Sequence, residues 1–180
     1  KVAHEAQLPA QLLTIDLNSA CTGFVGALTL ALSLVDAGRM QSVMVCTVEA
    51  MSRMTNKSDR QTAFLFGDGA AAVRVAAHER FSFATHQAGS DGAFAELMID
   101  HGEGIVLDGI EVFDHAVTRM TDLARQMAGE QPAPTVFVAH QANGRILRAV
   151  ANATTDLNIP HVDQIAHIGN TSSATIPLAL

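Results

Sequence analysis

The chain has 180 residues, 48% of them hydrophobic, enough for one sizeable core or two small ones. With 11 Lys and Arg against 18 Asp and Glu, its net charge is −7, which argues against the broad basic face that general nucleic-acid binding needs. Two distant cysteines, Cys21 and Cys46, make no disulfide framework, no basic and apolar leader opens the chain, and no apolar run suits a membrane span, so a reducing cytoplasmic setting is expected.

In chain order, Leu12–Leu17 is strand-like and Thr22–Ala37 helical, with Gly38 placed to end the helix. That helix is apolar almost all round, which predicts burial on every side, and Gly23, Gly26 and Ala27 would let neighbours approach its backbone. Ser42–Val48 is rich in β-branched residues and predicts a buried strand, with Cys46 as an inert core thiol. Met51–Arg60 is polar and irregular, Gly67-Asp68-Gly69 is a turn, and Ala70–Ala77 is a further strand. This β-α-β order predicts parallel strands covered by a helix.

Gly, Asp and Ser cluster between Gly89 and Gly104 and mark a break, giving two β/α halves at residues 1–88 and 89–180. In the second half, Ile110–Met127 has helical spacing, ended by Gly129 and the Pro132-Ala133-Pro134 turn. Thr135–Ala139 predicts a strand, Asn143–Ala153 a helix and Val162–Ala166 a short strand; Asn170–Thr175 turns into a last helix. The rhythm of the two halves suggests duplication, without a clear sequence repeat. The chain starts at Lys1 without a Met and ends inside a helix-like run, so it reads as part of a larger fold.

Three residues carry the chemistry. Cys21 stands at the junction of the first strand and helix, where a helix N-terminus favours thiolate, the nucleophilic form. His140 ends the strand Thr135–Ala139 just before a helix, where α/β folds place their sites. Asn170 follows Gly169 in a turn. The other histidines, His4, His78, His86, His101, His115, His161 and His167, show no metal-ligand spacing and read as surface or loop residues. Asp68 reads as a turn-former.

Cys21 in DLNSACTGF, His140 in VAHQANGRI and Asn170 in HIGNTSSA, taken together, resemble the Cys-His-Asn signature of the type III β-ketoacyl synthases, condensing enzymes of the thiolase superfamily. FGDGAAAV, SDGAFAEL and GIEVF are similar to further family stretches, in the same order, and the likeness runs from about Leu13 to Leu180.

The resemblance implies an α/β thiolase-like fold of two duplicated halves, layered α-β-α-β-α around a buried nucleophile helix, of which this chain is a partial copy. It implies that Cys21 takes an acyl group from acyl-CoA, and that malonyl on an acyl carrier protein (or on CoA) then condenses with it after loss of CO₂. His140 and Asn170 would be donors to the enolate oxygen, and the backbone N–H of Cys21 would serve the acyl intermediate. Arg60, Arg145 and Arg148 would meet CoA phosphate or the acidic carrier, and Phe64, Phe66 and Phe113 would line an acyl pocket. A homodimer without cofactor or metal is implied. Two alternatives stay open: acyl transfer to an oxygen or nitrogen acceptor without condensation, and a non-catalytic partner subunit. His101–Leu107 is shorter than the family usually has between these blocks, and Ile168 is unusual before Gly169.

Overall fold

The computed structural model describes residues 2–78, 86–100, 102–129 and 134–180. After a short helix α1 (Val2–Glu5), residues 12–17 take no regular structure, exposed throughout, and form no strand. An extended run becomes a strand only when its backbone finds a partner, and among the described residues Leu12–Leu17 has none, contrary to the sequence expectation. A 3₁₀ turn, Ala20–Thr22, then leads into α2 (Gly23–Asp36).

Gly38 ends α2 as expected. At φ +66° it occupies the left-handed region, its N–H bonds Val35 O at 2.9 Å and the Arg39 N–H bonds Leu34 O at 2.9 Å. This paired pattern satisfies two of the helix's last carbonyls. Phe24, Ala31 and Val35 of α2 are buried against Val45 and Val75 of the sheet. Burial stops there: Val25 and Leu30 face outward, and a Cβ on Gly26 would meet nothing within 4 Å. The apolar outer face of α2 therefore corrects the prediction of burial on every side.

Strand β1 (Ser42–Ala50) and strand β2 (Asp68–Ala76) pair antiparallel, from Ser42 opposite Ala76 to Ala50 opposite Asp68. The parallel arrangement predicted from the β-α-β order fails here for a topological reason. The link from β1 to β2 holds only a 3₁₀ turn, Met51–Arg53, and no crossover helix, so the chain doubles back. Val45 and Thr47 point into the core while Met44, Cys46 and Val48 alternate outward. Cys46 is thus an exposed thiol and not a core one.

Within the predicted break, Asp91 caps a 3₁₀ segment (Gly92–Leu97) that feeds a small hairpin, β3 (Met98–Asp100) with β4 (Ile105–Leu107). Asp108 Oδ1 then accepts the Ile110 and Glu111 N–H groups, each at 3.1 Å, and starts α3 (Gly109–Ala128). Of the predicted turn after Gly129, Pro132 and Ala133 lie outside the described residues.

Among the described residues Thr135–Ala139 makes one bridge, Phe137 with His161, and no strand. Asn143 caps α4 (Gly144–Ala153), which packs on α3. The predicted strand Val162–Ala166 is instead a lead into a single helical turn, α5 (Ile165–Ile168). A 3₁₀ turn, Ser172–Ala174, and the helix α6 (Thr175–Ala179) close the described chain, with α6 against β2.

Candidate active site

One short segment, residues 170–175, gathers the three candidate residues. Its residues are buried: Thr171 and Thr175 are 0% exposed and Asn170 is 7% exposed. The glycines of Gly67-Asp68-Gly69 explain how this segment is seated. Backbone bonds join Gly67 N–H to Asn170 O at 3.0 Å and Asn170 N–H to Leu65 O at 2.9 Å. A Cβ on Gly67 would stand 2.5 Å from Ile168 O, and one on Gly69 would stand 2.8 Å from Leu178 Cδ1 and 3.0 Å from Thr171 Cγ2. Only glycine allows that approach. Asp68 holds the other side of the turn, accepting the N–H and hydroxyl of Ser52, both at 2.7 Å.

Cys21 lies in the 3₁₀ turn ahead of α2, and that turn packs on Ser172–Ala174. Burial pushes its thiol up from the ordinary value; the neighbouring Ser172 side chain pulls it down, and the nearby Glu49 carboxylate pushes it up. The thiolate expected from the helix N-terminus is therefore outweighed by burial. The α-helix proper begins two residues later, at Gly23. Ala20, directly before the cysteine, has φ +45°, an uncommon conformation for a residue with a Cβ.

Asn170 Oδ1 accepts the Ser172 N–H at 3.0 Å, which leaves the amide Nδ2 as the donor end of that side chain. Ser172 itself sits at φ +51°. Glu49 anchors the next residue, accepting the Ser173 N–H at 3.2 Å as well as its hydroxyl. On the opposite side, His140 Nδ1 lies 2.6 Å from Thr175 Oγ1, and the hydroxyl of Thr175 is 3.1 Å from Ser172 O. Burial pushes the His140 imidazole down to about 4, so the ring is neutral at physiological pH.

Four residues of this arrangement escaped the sequence reading: Ser172, Glu49, Thr175 and Gln141. The last is 0% exposed and ties the His140 loop to the next segment. Its Nε2 donates to Ala139 O at 2.8 Å and Val162 O at 3.2 Å, and its Oε1 accepts Gln164 N–H at 2.8 Å. A polar residue next to His140 was the available signal; its burial was not readable.

The remaining candidates lie further out. Arg60 is exposed in the loop where Asp59 accepts from Gln61 and Thr62. Arg145 and Arg148 are exposed on α4, whose first N–H groups are capped by Asn143 Oδ1. Phe66 is joined to Asn170 by a backbone bridge, Phe113 is half-buried on α3, and Phe64 is 75% exposed. Two of the other histidines make side-chain contacts: His115 packs at a tilt on Phe94, ring centroids 4.1 Å apart, and His161 contacts Thr154 Oγ1 at 2.9 Å and Phe137. His101 lies outside the described residues. Among the described residues no group of three or more His, Cys, Asp or Glu is placed to hold a metal. No helix among them is long and apolar enough to cross a membrane.

Residues 15–92 match the family 3-oxoacyl-[acyl-carrier-protein (ACP)] synthase III, and residues 130–180 match its C-terminal part. The chain belongs to the 3-oxoacyl-ACP synthase III family. It is 37% identical to β-ketoacyl-[acyl-carrier-protein] synthase III 5 of Streptomyces coelicolor, across 92% of this chain and 57% of that protein. It is 39% identical to the synthase III of Pseudomonas aeruginosa strain LESB58, across 93% and 57% respectively. The crystal structure of the Thermus thermophilus synthase III superposes with a TM-score of 0.87 at 32% identity, covering 99% of this chain and 60% of that one. The priming β-ketosynthase of the R1128 polyketide pathway gives 0.86 at 30% identity, covering 99% and 58%. The fold is accordingly the thiolase-like α/β fold of these synthases, present as a partial copy.

Proposed function

We propose that the protein carrying this chain is an acyl-thioester condensing enzyme. The observation that supports this most is the shared anchor of the three residues: the turn that carries Cys21 packs on Ser172–Ala174, Asn170 Oδ1 accepts the Ser172 N–H, and His140 Nδ1 meets Thr175 Oγ1 three residues on. A nucleophile and two neutral donors around one buried turn suit a reaction that first forms a thioester and then develops charge on an enolate oxygen.

In this reading the Cys21 thiol gives up its proton to solvent and attacks, as thiolate, the carbonyl of an acyl-CoA; the bond from that carbonyl to the CoA sulfur breaks, and the CoA thiolate leaves and takes a proton from solvent. The hydroxyl of Ser172 steadies the sulfur's charge before attack. A malonyl thioester on an acyl carrier protein then loses CO₂, and the enolate oxygen receives hydrogen bonds from His140 Nε2 and Asn170 Nδ2. The enolate carbon attacks the acyl-Cys carbonyl, whose oxyanion is met by the Cys21 backbone N–H. Collapse returns the Cys21 thiolate and releases a 3-ketoacyl thioester. No cofactor is needed for any of these steps.

Exposed Arg60, Arg145 and Arg148 are proposed to meet CoA phosphate or the acidic carrier, within a chain that is negative as a whole. Of the three phenylalanines, Phe66 is the one proposed to face the acyl group. The reading includes two β/α halves, 1–88 and 89–180, a homodimer and a cytoplasmic setting. The test is mass spectrometry after exposure to short acyl-CoAs. One acyl mass should add to the protein, Cys21→Ala should abolish it, and malonyl-ACP should then release CO₂. Labelling that survives Cys21→Ala, or acylation with no malonyl-dependent CO₂, would overturn condensation.

A further inference from the structure

We infer that Thr175 fixes the tautomer of His140: its hydroxyl donates its only proton to Nδ1, so that the imidazole N–H sits on Nε2. The catalytic consequence rests on the condensing function proposed above; the proton assignment itself rests on geometry alone.

The hydroxyl of Thr175 has one proton and two acceptors within reach, His140 Nδ1 at 2.6 Å and Ser172 O at 3.1 Å. Two arrangements are possible. In one, Nδ1–H donates to Oγ1 and the hydroxyl donates to Ser172 O. In the other, the hydroxyl donates to Nδ1. O–H···O bonds run over about 2.5–3.0 Å and N–H···O bonds over about 2.7–3.2 Å. The first arrangement would need an N–H donor bond at 2.6 Å, shorter than that range, and a hydroxyl bond at 3.1 Å, longer than its own. Both distances favour the second.

Ser172 O loses nothing by it, since it already accepts the backbone N–H of Thr175. A buried hydroxyl 0% exposed has no water to turn to, so the Nδ1 bond is its natural satisfaction. Burial also holds the ring neutral, with one N–H to place. The neighbour on one ring nitrogen then decides what the other can do, and Nε2 becomes a donor. Thr175 is in this sense a positioning residue, acting through His140.

The test is ¹⁵N NMR of the protein labelled at histidine, with His140 assigned by difference against His140→Asn. At neutral pH, His140 should show a proton-free Nδ1 and a protonated Nε2. The reverse assignment in the wild-type protein would overturn the inference. Thr175→Val should mix or reverse the tautomers and slow malonyl-ACP decarboxylation by about 10- to 100-fold, with Cys21 acylation changed by less than about threefold. Thr175→Ser, which keeps the hydroxyl, should restore most of that loss and the wild-type tautomer. A serine variant that fails like valine would make the role one of packing and overturn the inference, as would a folded valine variant with the wild-type tautomer. A protein without malonyl decarboxylation but with the Nε2–H tautomer would refute the condensing function and leave the assignment standing.

Discussion

Cys21 sits under opposing influences, and burial is the largest of them, so its thiol is held above the ordinary value. Ser172 works against burial and Glu49 works with it. The Glu49 carboxylate also holds the Ser173 N–H and hydroxyl, so its charge serves the turn while opposing thiolate formation. Glu49→Gln separates these roles, because an amide oxygen still accepts from Ser173 but carries no charge. The variant should lower the Cys21 pKa and speed its alkylation by iodoacetamide near pH 7 by roughly two- to tenfold. The rate should rise with pH in both proteins, with the variant's curve displaced to lower pH. Because Cys46 is exposed and would react as well, the measurement belongs in a Cys46→Ser background. Unchanged reactivity would mean that the Glu49 charge does not reach the sulfur.

Among the elements, the sequence reading was most successful where local chemistry decides and least where a distant partner does. Gly38 ended α2 through its own conformation, and the helices α3 and α4 were legible to within about one residue at each end. Leu12–Leu17 and Thr135–Ala139 are β-like in composition, yet strands exist only through pairing, and the first has no partner among the described residues. Glycine shows the same division. A Cβ on Gly23 would stand 3.2 Å from Ser173 Cβ, so Gly23 does permit a close approach, whereas Gly26 has open space around it. Gly26→Ala should therefore stabilise α2 by about 0.5–1 kcal/mol through helix propensity. Gly67→Ala, driven onto Ile168 O, should cost about 1–3 kcal/mol and shift the segment that carries Asn170. Urea melts of the two variants check both signs, and a neutral Gly67→Ala would show that the contact with Ile168 yields freely.

For the molecule as a whole, the sequence singles out three candidate residues because each lies in a motif of distinct composition, and the structure brings all three to residues 170–175. The means by which they are held was not legible. Gln141, Thr175 and Glu49 act through burial and through bonds to residues 23, 35 and 124 positions away in sequence, which no local pattern encodes. The same burial sets a pH dependence of folding. His140 titrates near 4 in the folded protein against about 6.5 when unfolded. Between those values the unfolded chain binds a proton that the folded one refuses, so stability rises with pH across this window. It is complete above about 6.5 and falls as the pH drops toward 4, by up to roughly 3 kcal/mol for this one group. His161, also pushed down by burial, adds in the same direction, while Asp59, Asp68 and Asp156, all held below the usual carboxylate value, act only in stronger acid. Urea unfolding free energies between pH 4 and 7 should show this slope, and His140→Gln, which has no titrating group, should remove most of it. A slope that persists in the glutamine variant would place the acid sensitivity elsewhere than at His140.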